Sequence, residues 1–301
     1  AVRRRSAART RIPRAEDPGG NRLMRRTTLL SVVAAVISML AVPQSTAHAD
    51  RAASNPAAVR KNCARVKVIG HRGVAGPHEN TVRGWNIAKA QGVDAVEADV
   101  WLTRDGVPVI IHDSTWKRTT NWRGRVRRTK YSVVRRHIRT KGGDRIPTLW
   151  RLFRWAKRNH KDVLVELKWS PPMKRVNRIA KRVGVKRRVS FYAQPQRKNG
   201  SLRSVDRARE RGFRTGVKTW YRHWPMGPKK LRRHGRFIAV APVLGMRRTY
   251  VRRMHRAGLQ VYPKQSYRPN WPRLLGAGID AVVVRHPGRY RHWCRQRNRG
   301  L

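Results

Sequence analysis

From Lys67 onward, short β-branched and aromatic runs alternate with basic, helix-patterned segments, and no other feature restricts the fold as much. The strand-like runs are KVIG, DAVEADVWL, VPVIIHD, DVLVELK, RRVSFYAQ, FRTGVKT, RFIAVAPV, LQVYPK and DAVVVR. Among the intervening segments, ENTVRGWNIAKAQG reads as a helix with Asn80 or Thr81 as its cap and Gly92 as its stop. IPTLWRLFRWAKRN is amphipathic, with Leu149, Leu152, Phe153 and Ala156 on one face. Strands that take turns with helices predict a parallel α/β sheet.

The nine runs exceed by one what a (β/α)₈ barrel holds. The surplus falls where only TRDG separates VEADVWL from VPVIIHD, far less than the dozen or so residues of a parallel crossover. These two runs are therefore expected to pair as an antiparallel hairpin that extends the second strand beyond the barrel mouth. With Asp105-Gly106 as a two-residue turn, Asp99 faces His112; with Arg104-Asp105, Glu97 faces His112. In both registers Glu97 and Asp99 share a face, because strand side chains alternate. Eight barrel strands remain, and residues 50–301 have the usual size of such a barrel, about 250 residues. One domain is the expectation.

Residues 24–49 read as a signal peptide: Met24-Arg25-Arg26, an apolar run from Leu29 to Val42, then Ala47-His48-Ala49 as a cleavage pattern. Residues 1–23 are a basic upstream segment expected to lie outside the mature protein. The chain is expected to be exported, to the medium or the cell envelope. Cys63 and Cys294 have no metal-cluster spacing. In an eight-stranded barrel the first and last strands are neighbours, so the two cysteines are expected to form a disulfide. The formal charge of +57, from 72 Lys and Arg against 15 Asp and Glu, predicts unspecific attraction to polyanions or anionic membrane surfaces. No segment has the pattern of a module that reads nucleic-acid sequence, and nothing fixes an oligomeric state.

Against that charge, four acids within Val96–Asp113 stand out, since they alternate with apolar residues rather than forming a solvated face. Catalytic groups of a barrel gather at the C-terminal ends of its strands. There the sequence places His71-Arg72-Gly73 with Glu79, then Glu97 and Asp99, then His112-Asp113, then Glu166 and Lys168. Carboxylates converging without an enclosing basic pair repel one another, and Ca²⁺ or Mg²⁺ would relieve that through oxygen ligation. His71 and His112 suit acid–base work, and Arg72 and Lys168 suit an anionic substrate. Asp105 reads as a turn former, Asp113 as a residue that orients the loop after His112, and His78, His137 and His160 as surface residues. Trp101, Trp116, Trp122 and Trp220 read as packing near the strand ends.

Five segments in order, HRG, EN, EADVWLTRDGVPVIIHD, IPTL and VELK, resemble the glycerophosphodiester phosphodiesterase family of metal-dependent (β/α)₈ barrels. The resemblance is strong from Val68 to Lys168. It implies Glu97, Asp99 and Glu166 as metal ligands, with Glu79 a further ligand or neighbour. It also implies His71 and His112 as the acid–base pair, and Arg72 and Lys168 at the phosphate. The mechanism it implies has the substrate's own glycerol hydroxyl attack phosphorus, giving a cyclic phosphate that water opens. Downstream the match thins: VYPKQSY stands where the family usually has a Trp-Thr-Val-Asn-like segment, and Arg285-His286-Pro287 where it has Thr-Asp-x-Pro. The expected function is hydrolysis of small glycerophosphodiesters to glycerol 3-phosphate and an alcohol. The alternatives are a non-catalytic polyanion-binding barrel and a phospholipase D-like enzyme acting on lysolipids.

Overall fold

The computed structural model describes residues 56–195, 202–219, 227–240, 246–264 and 271–298. The upstream segment, the signal-like segment and Trp220 lie outside them. All nine sequence-predicted strands are present: β1 (Lys67–Gly70), β2 (Ala95–Leu102), β3 (Pro108–Ile110), β4 (Asp162–Leu167), β5 (Val189–Ala193), β6 (Arg214–Thr219), β7 (Phe237–Val240), β8 (Gln260–Pro263) and β9 (Ala281–Val284). Eight run parallel in the order β8-β7-β6-β5-β4-β2-β1-β9, and a parallel bridge between Lys264 and Val283 joins the two ends into a nearly closed barrel. β3 pairs with β2 alone, antiparallel.

Ten helices accompany the strands among the described residues. They are α1 (Pro56–Arg65), α2 (Val82–Ala90), α3 (Tyr131–His137), α4 (Leu149–Arg158), α5 (Met173–Val183), α6 (Leu202–Glu210), α7 (Pro228–His234), α8 (Arg248–Arg256), α9 (Trp271–Gly276) and α10 (Pro287–Asn298). Thr81, rather than Asn80, caps α2 by accepting from the Gly84 amide, a contact of the kind that contributes about 1 kcal/mol. α4 buries the face read from its sequence, with Trp155 added.

Strand alternation sorts the side chains into two layers. Val68, Val96, Val163, Val165, Phe191 and Val261 point outward into the shell shared with the helices. Ile69, Ala95, Leu164, Tyr192, Phe237, Ala239, Tyr262, Ala281 and Val283 fill the barrel interior. Gly216 faces that interior because a Cβ there would meet the Phe237 ring at 2.4 Å. A third cluster, built on Trp101, Val109, Ile111, Trp116, Val126, Val134, Ile138 and Ile146, packs the segment that follows the hairpin. Cys63 of α1 and Cys294 of α10 are joined by a disulfide, with Cα atoms 5.7 Å apart.

The hairpin takes neither of the two registers expected from the sequence. Val100 faces Ile110 and Leu102 faces Pro108. The loop has three residues, Arg104–Gly106, closed by Thr103 N–H donating to the Val107 carbonyl at 3.0 Å. Gly106 adopts φ +78°, the left-handed residue that completes a type I turn in such loops. Asp105 accepts from the Thr103 hydroxyl and from the Tyr131 amide, which fixes the longer turn. The pairing is therefore offset by one residue, Asp99 lies across from Ile111, and His112 falls just beyond the ladder.

Candidate active site

Parity along each strand carries the interior face upward into a polar layer at the C-terminal mouth. Ile69 leads to His71, Ala95 to Glu97 and Asp99, Leu164 to Glu166 and Lys168, and Tyr262 to Lys264. Glu97, Asp99 and Glu166 are each at most 1 % exposed, and one oxygen of each lies within 4.8 Å of the others. Adjacent strands set this spacing, since Asp99 pairs in register with Glu166 and Glu166 with Tyr192. Three hard carboxylate oxygens at that separation, with Asp99 Oδ1 buried and lacking a hydrogen-bond partner, fit a hard divalent cation.

The premise that no basic pair encloses these acids is corrected by the structure. Lys168 Nζ contacts Glu166 and lies 3.2 Å from Asp99 Oδ1. Lys218, from β6, reaches Glu166 Oε1 at 3.1 Å. Lys264, after β8, donates to Glu97 Oε1 at 2.9 Å and also to Glu166 Oε2. Burial alone would favour protonated carboxyls, but the charges of Lys168, His112 and Lys264 together outweigh it at Asp99, and Lys168, Lys264 and Lys218 together outweigh it at Glu166. Both acids are held well below the ordinary carboxylate range and remain ionised.

The turn after β1 delivers the next groups. Arg72 has φ 58°, a left-handed conformation that costs a non-glycine residue about 1–2 kcal/mol. That turn directs the Arg72 amide at Glu97 Oε2, 2.9 Å away, and the side chain toward Asp99. Asn80, also left-handed at φ 60°, brackets Asp99: its Nδ2 donates to Oδ2 at 3.0 Å and its Oδ1 accepts from the Asp99 amide at 3.2 Å. His71 is buried, with Nε2 3.8 Å from Glu97 and no hydrogen-bond partner. Burial, reinforced by Lys264 and Arg72, holds its pKa well below 6.5, so the ring is neutral at ordinary pH.

His112 sits at the rim, about a third exposed, where the charges of Asp99, Lys168 and Arg72 act on it. Its Nδ1 lies 2.6 Å from Asp113, whose other oxygen accepts from Arg118. Burial lowers the His112 pKa, and the charge of Asp99 and the bond to Asp113 partly offset that. Arg118 continues to Glu79 at 2.6 Å, and Arg72 meets the same oxygen at 3.0 Å. Glu79 is thus committed to two arginines and stands outside the carboxylate cluster; what it positions is Arg72.

Of the residues nominated from sequence, His71, Arg72, Glu97, Asp99, Glu166 and Lys168 converge directly, and His112 joins them from the rim. Sequence reasoning missed Lys218, Lys264, Tyr192, Arg118 and the role of Asn80. His78 pairs with Asp144 at 2.6 Å and is not part of the carboxylate cluster. A cavity of about 910 Å³ opens at the opposite end of the barrel, walled by Lys67, Asp162, Arg214 and Gln260 at the strand beginnings. No cluster of potential metal ligands lies there among the described residues.

Several known proteins are similar to this chain. A glycerophosphodiester phosphodiesterase of Caldanaerobacter subterraneus is 37% identical over 107 residues, 33% of this chain and 43% of that protein. YhdW of Bacillus subtilis is 27% identical over 244 residues, 73% of this chain and 94% of its own length. The chain spans less than half the length of the first curated relatives it matches. An Oleispira antarctica phosphodiesterase solved with its product sn-glycerol-3-phosphate superposes with a TM-score of 0.62 at 22% identity, covering 76% of this chain and 96% of that one, and so shares its fold. The model of the glycerophosphoryl diester phosphodiesterase family matches residues 71–289, most of the chain and all of the site just described, and the chain belongs to that family.

Proposed function

We propose that the protein is an exported, divalent-metal-dependent phosphodiesterase that hydrolyses small glycerophosphodiesters to glycerol 3-phosphate and an alcohol. The carrying observation is the convergence of Glu97, Asp99 and Glu166 within 4.8 Å beside a buried, unpartnered His71 Nε2. The three carboxylates would hold Ca²⁺ or Mg²⁺, which when bound supplies positive charge against the phosphoryl oxygens. Arg72 and Lys168 add fixed positive charge to which a phosphodiester anion can bind. Neutral His71 takes the proton of the attacking glycerol hydroxyl. His112, steadied by Asp113, gives a proton to the departing alcohol oxygen. The roles then reverse as water opens the cyclic phosphate, so both rings end as they began.

Export is supported by the Met24–Asp50 pattern and by the Cys63–Cys294 disulfide, a bond typical of oxidising compartments. Surface charge adds unspecific attraction to polyanions or anionic membranes. The test is a panel of glycerophosphodiesters, intact lysolipids included, assayed for glycerol 3-phosphate release with and without chelator. Chelator-sensitive release is expected from glycerophosphodiesters. No turnover on any diester would leave a polyanion-binding barrel as the reading. Release of the phosphomonoester of a lysolipid would redirect it to a phospholipase D-like activity.

A further inference from the structure

The oxygens of the carboxylate cluster can be accounted for one by one. Glu166 Oε1 is taken by Lys168 and Lys218, and Glu166 Oε2 by Lys264, with the Tyr192 hydroxyl placed to give its single proton either to that oxygen or to Glu97 Oε1. Glu97 Oε1 meets Lys264 at 2.9 Å and Tyr192 at 2.7 Å, while Glu97 Oε2 accepts from the Arg72 amide. Asp99 Oδ2 is held by Asn80. Asp99 Oδ1 alone accepts no hydrogen bond, although the Lys168 ammonium lies 3.2 Å from it. Lys264 therefore lies between two of the three potential ligands and uses one donor on each and a third on Tyr192.

This placement belongs to the backbone rather than to a wandering side chain. Lys264 is 3% exposed, and its backbone makes the bridge to Val283 that closes the barrel. Its lysine stem lies within the barrel, and its ammonium has no solvent to retreat into. A divalent ion that takes Glu97 Oε1 and Glu166 Oε2 must break both of these contacts, and one that takes the other oxygen of each still endures a like charge a few ångströms away. Two cations that share ligands oppose each other by the same free energy, whichever arrives first.

We propose that Lys264 is a resident cation of the carboxylate cluster, sharing Glu97 and Glu166 with the divalent ion and setting a low metal affinity. The inference rests on reading the cluster as a metal centre. Neutralising Lys264 should then tighten metal binding, although it removes a favourable contact from the metal-free protein.

The experiment is titration calorimetry of Mg²⁺ and of Ca²⁺, each alone, into the full chain and into Lys264→Met, Lys264→Gln, Lys264→Arg and Lys218→Met. Urea unfolding with and without each ion gives a readout independent of turnover. Affinity should rise by about 5–150-fold in the Met and Gln variants, the usual range for coupled sites. It should rise less in Lys218→Met, whose lysine touches Glu166 alone, and not at all in Lys264→Arg, which keeps the charge. The stability gained on adding metal should be larger in the two neutral variants than in the parent. A neutral variant that folds only when metal is present would also support the proposal, the ion then standing in for the ammonium. Equal or weaker affinity in the neutral variants would overturn the inference alone. Absence of metal binding in the parent and all variants would overturn the metal-centre reading and the inference with it. If neither neutral variant folds even with metal, Lys264 is a strut rather than a displaceable cation, and the proposal falls.

Discussion

Replacing Asp113 by Asn should damage catalysis while leaving the metal cluster intact, and the geometry says by how much. Asp113 accepts from Arg118 on one oxygen and faces His112 Nδ1 at 2.6 Å with the other. In an Asn side chain the carbonyl oxygen is drawn to the Arg118 guanidinium, which leaves the NH₂ group pointing at His112. The ring must then carry its proton on Nε2, the atom that has to exchange protons with substrate, and its tautomer is wrong for a base. The acid form also loses a charge-assisted bond of about 1.5–3 kcal/mol, or roughly ten- to 150-fold in rate. Together these should lower kcat by at least about tenfold and up to the 10²–10⁴ range of a lost general acid–base group. KM should change little, because Arg72 and Lys168 are untouched, and metal affinity by calorimetry should match the parent. Asp113 raises the His112 pKa against the effect of burial, so the limb of the pH–rate profile governed by His112 should move to lower pH in the variant. A shift of the alkaline limb would assign His112 as the acid, and a shift of the acidic limb would assign it as the base. Turnover within about threefold of the parent would refute the orienting role of Asp113, since that lies below the loss of even one weak charge-assisted bond.

Other consequences are open to equally direct measurement. The disulfide closes a sequence separation of 231 residues, for which the chain-entropy relation gives a ceiling of about 5.5 kcal/mol; the double variant Cys63→Ser/Cys294→Ser should lose about 2–5 kcal/mol in urea unfolding, and a loss below about 1 would contradict it. Gly216→Ala places a Cβ 2.4 Å from the Phe237 ring and should cost about 1–3 kcal/mol by overpacking; an unchanged urea midpoint would show that the ring yields freely. The depressed pKa of His71 means that below 6.5 the unfolded chain binds a proton which the folded one refuses, so stability should fall as pH drops from about 6.5 toward the folded value, and fall less in His71→Gln. Matching acid sensitivity in parent and variant would exclude His71 as a source. Affinity for DNA or anionic vesicles should drop steeply as salt rises, and sequence-selective binding that survives high salt would rule out a purely electrostatic attraction.

The barrel was legible because its strands are buried on both faces and so appear as unbroken β-branched runs; β2, for instance, is buried along its whole length. Strand parity then sufficed to put Glu97 beside Asp99 and Glu166 beside Lys168. The hairpin register was not legible, because both two-residue turns and the three-residue loop draw on the same Arg104, Asp105 and Gly106, and the contacts that decide are long-range ones such as Asp105 with Tyr131. Asn80 was ambiguous for a related reason. It precedes a helix and has a capping side chain, yet the residue after it takes the cap and frees Asn80 to grip Asp99.

The lysines were hidden by abundance rather than by distance. Among 72 basic residues a lysine at a strand end carries no information, whereas each acid does, because acids are scarce enough for every one to need a reason. For most of the acids among the described residues the structure supplies those reasons. Asp94 and Asp280 accept from the backbone amides of Val68 and Val261 at the strand beginnings, Asp206 holds His234, and Asp144 holds His78. Glu79 and Asp113 hold arginines and a histidine around the mouth. Among the described residues Glu97, Asp99 and Glu166 alone are buried together, which explains why the acids pointed to the candidate site from sequence. The same scarcity misjudged its charge balance. A buried carboxylate in so basic a chain draws cations from any strand that can reach it, and Lys218 and Lys264 reach Glu166 from positions 52 and 98 residues away in sequence. Charge balance at a barrel mouth is a property of closure, and closure is the step that a strand-by-strand reading omits.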